Sequence, residues 1–187
     1  MADQEQAIAL LSRSLDQAGA AVGGVREDQL ELPTPCASWN VRMLVNHVLY
    51  DLQQFAKMVK GEQWKPGSID VPYEEWTATF SSGSAELLSA WRDHAGDASA
   101  AQRPPTQQIA EFAVHGWDVA RATGQHIDFD DDAATVALEW ARSMLKPEYR
   151  GSEESGKVFG PEVQIAGDAA AIDRLAAFFG RDPSWSP

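Results

Sequence analysis

The chain has 187 residues, 44% hydrophobic and 9% aromatic, enough for one compact domain or a main domain with a small appendage. Its net charge of −13 and isoelectric point near 4.6 argue against nucleic-acid binding and against anionic membranes, both of which call for a basic surface. The single Cys36 rules out an internal disulfide framework and a Cys-rich zinc knuckle, and no apolar run approaches the roughly 18 residues that cross a bilayer.

The N-terminus, Met1 to Gln6, is acidic and lacks the basic and apolar regions of a signal peptide, so a cytoplasmic protein is expected. From Gln4 to about Ala20, Ile8, Leu10, Leu11 and Leu15 recur at helical spacing, and Gly23-Gly24 ends the pattern. The prolines of Leu32-Pro33-Thr34-Pro35-Cys36 impose an extended segment. Ser38 or Asn40 caps a second helix that runs to about Lys60 and stops at Gly61. Its apolar face carries Val41, Leu44, Val48, Leu52, Phe55 and Val59, with His47 at one edge.

Residues 61–72 read as a loop. A third helix begins near Tyr73 or Ser82 and ends at His94, with Phe80, Leu87, Leu88 and Trp91 as its core face. A small, polar linker follows at 96–103, and Pro104-Pro105-Thr106 opens a fourth helix that ends in a left-handed cap at Gly124. Asp130-Asp131-Asp132 starts a fifth helix, where three carboxylates suit the positive end of the dipole; their spacing does not match a calcium loop. That helix ends near Lys146-Pro147. Residues 147–167 are rich in Gly and Pro, with a β-like run at Val163-Gln164-Ile165, and a last amphipathic helix spans about Asp168 to Phe179. The expected organisation is a helical bundle over residues 1–146 and a C-terminal appendage over 147–187.

The fourth helix carries the chemistry. Glu111, His115 and Asp118 fall within roughly 60° of one another on a helix turning about 100° per residue. The stripe lies between apolar flanks, so it points inward, and a buried carboxylate needs a cation or good donors. A divalent ion is one solution, and His47 is placed to supply a further ligand from across the bundle. His and carboxylate donors suit Zn²⁺, with Ni²⁺, Fe²⁺ or Mn²⁺ also compatible, and three protein ligands leave a position open for water or substrate. Against this stands the plainer reading of a helix-surface pair and satisfied core histidines. Asp118 is a partner that orients a ligand, an acid/base group, or a surface carboxylate paired with Arg121 or Arg42. Cys36 reads as a small core residue before a thiol activated by the second helix's N-terminus, Trp39 and Trp117 as core packing before walls of a substrate pocket, and His94 and His126 as solvated.

Three segments carry a family resemblance. Thr34-Pro35-Cys36-Ala37-Ser38-Trp39-Asn40-Val41, followed by Leu44-Val45-Asn46-His47, resembles the start of the second helix in the mycothiol-dependent maleylpyruvate isomerase N-terminal domain family, within the DinB-like, YfiT-like superfamily. The run from Glu111 to Gly124 resembles that family's metal-binding helix. Phe178-Phe179-Gly180-Arg181-Asp182-Pro183-Ser184-Trp185 resembles the tail of an actinobacterial subgroup of uncharacterised metal-binding proteins.

The resemblance implies an all-α fold, an up-down-down-up DinB-like four-helix bundle with a small C-terminal α/β-like appendage. It implies a metal triad of His47, Glu111 and His115, holding zinc or nickel at one end of the core. It also implies a metal-dependent enzyme that activates a small thiol of the mycothiol type, or water, for transfer or isomerisation of a small electrophile. The isomerase itself has a larger C-terminal domain where this chain has a short appendage, which argues against maleylpyruvate as the substrate. The alternatives are a non-catalytic metal-binding sensor or scaffold and a metal-free interaction bundle; a homodimer is left open.

Overall fold

A computed structural model of the chain describes residues 2–94, 105–151, 155, 157 and 159–187. The linker expected at 96–103 lies outside the described residues. Among those described there are six α-helices: α1 (Ala2–Gly23), α2 (Val41–Val59), α3 (Trp76–Asp93), α4 (Thr106–Thr123), α5 (Asp131–Met144) and α6 (Ala171–Phe178). No strand is present among them, and none of these helices is long and apolar enough to cross a membrane. The expected all-α, DinB-like bundle is what the chain forms.

Local chemistry sets the helix ends. Asn40, not Ser38, caps α2: its side chain accepts the Met43 N–H at 2.9 Å. Asp130 caps α5 by accepting the Ala133 N–H at 2.8 Å and also pairs with Arg13 of α1. Gly61 and Gly124 end α2 and α4 with φ of 86° and 68°, left-handed values that cost a side chain energy. Tyr73–Glu75 form a 3₁₀ turn that leads directly into α3.

Helix α1 packs on α3 and α4, and α2 packs on the same two helices, so α1 and α2 occupy opposite corners. The connection from 60 to 75 between α2 and α3 is long enough for the crossover that an up-down-down-up order requires. Helix α5 lies on α1 and α4, and α6 on α4 and α5. Helix α4 is therefore surrounded, and 14 of its 18 residues are buried, which removes any solvated face on which Asp118 could sit. Gly116 is where α1 comes nearest: a Cβ there would stand 3.1 Å from the Ala18 Cα.

The appendage differs from its sequence reading. The run at 163–165 forms no ladder and makes one backbone bond, Val163 N–H to the Ala177 carbonyl at 2.9 Å. Its alternating pattern has no partner strand, so α6 takes it instead. Helix α6 starts at Ala171, three residues later than expected, because Ala166–Ala169 closes a turn. Arg150 pins this region by donating to the Gly160 carbonyl at 3.1 Å and the Phe178 carbonyl at 2.6 Å.

Candidate metal centre

Helices α2 and α4 face each other with two pairs of groups at four-residue spacing, His47 with Asp51 and Glu111 with His115. Glu111 Oε1 is the meeting point, 3.1 Å from His47 Nε2 and 3.0 Å from His115 Nε2. One ligand atom from each of His47, Glu111 and His115 lies within 4.8 Å of the others. The structure thus brings together the three residues proposed as ligands. Asp118 stands behind them: its Oδ2 is 3.0 Å from His115 Nδ1, and its side chain is fully buried. It pairs with neither Arg121 nor Arg42.

Asp118 is itself held from the appendage. Arg181 Nη2 donates to Asp118 Oδ2 at 2.9 Å and Nε to Oδ1 at 3.3 Å, while Nη1 donates to the Phe179 carbonyl at 3.1 Å. Burial would raise the Asp118 carboxyl, but the Arg181 charge and the His115 contact bring it below its ordinary value. Burial alone would lower His115. The Glu111 charge and the hydrogen bonds that His115 donates to Asp118 and Glu111 overcome that and raise its imidazolium to about 9. Burial likewise works against the Glu111 charge, and His115 and His47 reverse it, holding the carboxyl well below the usual range.

Two residues of the site escaped sequence reasoning. Asp51 is 5% exposed, its Oδ2 is 3.4 Å from His47 Nε2, and its Oδ1 is buried without a hydrogen-bond partner. Burial, and then the Glu111 charge beside it, push this carboxyl up to about 9. The signal was available, since Asp51 follows His47 by the same four residues that separate Glu111 from His115. Arg181 had no such local signal; only the fold brings it to α4.

These groups line a cavity of about 280 Å³. Cys36 lines it too and is half-buried, so it is not the core residue the sequence suggested. Trp39 closes one side with its ring centroid 4.3 Å from that of His47. Trp117 is core, as expected, and donates its indole N–H to Asp173 at 3.0 Å. His126 is exposed, and His94 sits half-buried at the end of α3 with Nδ1 2.9 Å from the Ala90 carbonyl.

The loop after α2 forms the remaining wall. Asn46, Tyr50 and Gln54, one turn apart on α2, tie it down. Asn46 Oδ1 accepts the Val71 N–H at 2.8 Å, the Tyr50 hydroxyl donates to the Lys65 carbonyl, and Gln54 Oε1 accepts the Lys65 N–H at 3.2 Å. Trp64 is thereby held against Phe55 at 5.6 Å between centroids. A larger cavity, about 720 Å³, lies beside Trp117 and Arg121 and brings no set of ligating atoms together among the described residues.

The donor set fits a divalent ion. Two imidazoles and a carboxylate converge, His115 has its outer nitrogen held by a carboxylate as metal-binding histidines do, and the orphaned Asp51 oxygen shows a polar demand that the protein leaves unmet.

Comparison with known proteins identifies the family. The family model of the mycothiol maleylpyruvate isomerase N-terminal domain matches residues 11–120, a span that takes in His47, Glu111 and His115 and stops before α5. Two uncharacterized proteins of Mycobacterium tuberculosis, from two strains, are each 30% identical over 184 residues, covering 90% of this chain and 94% of theirs. No solved structure matches. The chain belongs to the mycothiol maleylpyruvate isomerase N-terminal domain family.

Proposed function

We propose that the protein is a divalent-metal-dependent enzyme that activates a small thiol of the mycothiol type, or water, for transfer to or isomerisation of a small electrophile. The observation that carries this is the convergence of His47 Nε2 and His115 Nε2 on one Glu111 oxygen inside a cavity. His47, Glu111 and His115 hold the ion, with zinc the best match to the donors and nickel next. When bound, the ion would supply the Lewis acidity that favours the anionic form of a thiol or water near neutral pH.

The protein's own groups do the rest. Asp118 keeps the proton of His115 on Nδ1, so that Nε2 faces the cavity. Arg181 fixes Asp118 from the other side. In the metal-free chain Asp51 holds its proton near neutral pH, its carboxyl pushed up to about 9; the charge of a bound ion would ionise it and leave Oδ1, which has no hydrogen-bond partner, beside His47 to take the proton that the thiol or water gives up. Trp39, Trp64 and Phe55 limit access of bulk water. We also place the protein in the cytoplasm, in keeping with a thiol-dependent reaction.

A metal-free interaction bundle is the competing reading, and one observation favours it. Glu111 already answers both histidines, so the cluster is satisfied without an ion. Elemental analysis of protein purified without an affinity tag decides between them. One transition-metal ion per chain, lost in His115→Ala, is the expected result; no bound metal, or full retention in that variant, overturns the triad.

A further inference from the structure

The cavity walls and their charges specify what the site takes. Five aromatic rings from separate segments line it: Trp39 before α2, Phe55 on α2, Trp64 in the following loop, Phe159 in the appendage and Phe179 after α6. Phe55 and Phe179 are buried in the core and form the floor, while Trp39, Trp64 and Phe159 stand around it. Trp64 is 40% exposed, and Trp39 and Phe159 are half-buried, so ring faces remain available. Assembling rings from five places around one space is costly unless something planar or apolar fills it. At about 280 Å³ the space falls below the roughly 300–1,000 Å³ that encloses drug-sized ligands, which suits one ring on a short arm.

Charge narrows the class further. Arg181 is the sole Lys or Arg among the described residues lining the cavity. Three of its five N–H groups are taken by the two Asp118 oxygens and the Phe179 carbonyl, and its charge is matched by Asp118. The other ionisable groups at the wall are Asp51, Glu111, His47, His115 and Cys36. A ligand with two carboxylates would place at least one of them next to Asp51 and Glu111 with no unmatched side-chain cation among the described lining residues to receive it, a costly burial.

We infer that the site takes a small aromatic molecule bearing at most one anionic group, the anion directed at the His47–Glu111–His115 cluster and the ring held by Trp39, Phe55 and Trp64, and that it discriminates against dicarboxylates. This rests on reading the cavity as the substrate site of the proposed enzyme. Polar parts of a larger thiol stay outside, beyond Trp64.

Three thiols test it: benzyl mercaptan, mercaptosuccinate and 2-mercaptoethanol, titrated into cobalt-substituted protein while the sulfur-to-cobalt charge-transfer band is followed. Benzyl mercaptan is expected to bind about tenfold tighter than either of the others, the ring contacts supplying the difference. Trp64→Ala removes an exposed ring and should cut that preference about threefold or more with cobalt stoichiometry unchanged. Equal or tighter binding of mercaptosuccinate, or an undiminished preference in Trp64→Ala, overturns the inference. If cobalt does not bind, the metal reading falls by itself, and calorimetry of the same thiols with the metal-free protein decides the ligand class by the same ranking.

Discussion

Arg181 and Asp118, 63 residues apart, form a two-point ion pair in which a residue beyond the last helix grips the one buried carboxylate that steadies His115. The appendage is by this contact part of the site. Truncating Arg181 to Ala leaves Asp118 charged, buried and short of its cation. A loss of about 3–5 kcal/mol is expected from leaving such a buried charge unpaired, read by urea denaturation. Arg181→Lys should recover only part of it, since a point charge cannot bridge both oxygens.

Asp118→Asn keeps the shape and loses the charge behind His115. Metal affinity should drop roughly 10–100-fold in competition with a chromogenic chelator, as for other partners of metal-bound histidines. Stoichiometry should stay at one ion, because the ligands themselves are intact. A variant that binds metal as tightly as the parent would show that His115 needs no such support.

The metal-free protein should lose stability as pH rises. His115 has a folded-state pKa of about 9 against an ordinary 6.5. Its contribution is complete below 6.5 and vanishes as pH passes through 9, amounting to on the order of 3 kcal/mol. Asp51 acts in the same sense: folding raises its pKa from 3.8 to about 9, so the folded chain must take up a proton across that window. Melting temperatures in chelator at pH 6 and pH 9.5 check this, with the lower value expected at the higher pH. Added zinc should reverse the trend, since protons and metal compete for His115 Nε2.

Asp51→Asn mimics the protonated carboxyl and spares the fold that proton uptake. It should raise the melting temperature of metal-free protein at pH 8, where the parent is penalised, and change little at pH 4. Thiol- or water-transfer turnover should fall, because the amide cannot accept the proton. Unchanged turnover would remove Asp51 from the chemistry and leave it a structural group.

How much of this was written in the sequence depends on distance along the chain. The Glu111–His115–Asp118 stripe was legible because one helix places all three by its own period. His47 was legible as a polar residue on the edge of an apolar face. The choice between Ser38 and Asn40 was not, since both fit a cap and only backbone geometry separates them. Asp51 was missed although the spacing was there, because attention to an apolar face passes over a carboxylate within it. Arg181, Phe159 and Trp64 reach the site through tertiary packing, which no periodicity encodes. Val163–Ile165 misled for the complementary reason: alternation proposes a strand, and only a neighbour can make one.

Gly116 has a meaning beyond the α1–α4 contact at which it sits. With no side chain there, α4 lies close against α1, and it packs less closely on α2 at the opposite corner. A side chain at 116 would meet the backbone of Ala18, so any larger residue there must move α1 or α4, and α4 is the helix that carries Glu111 and His115.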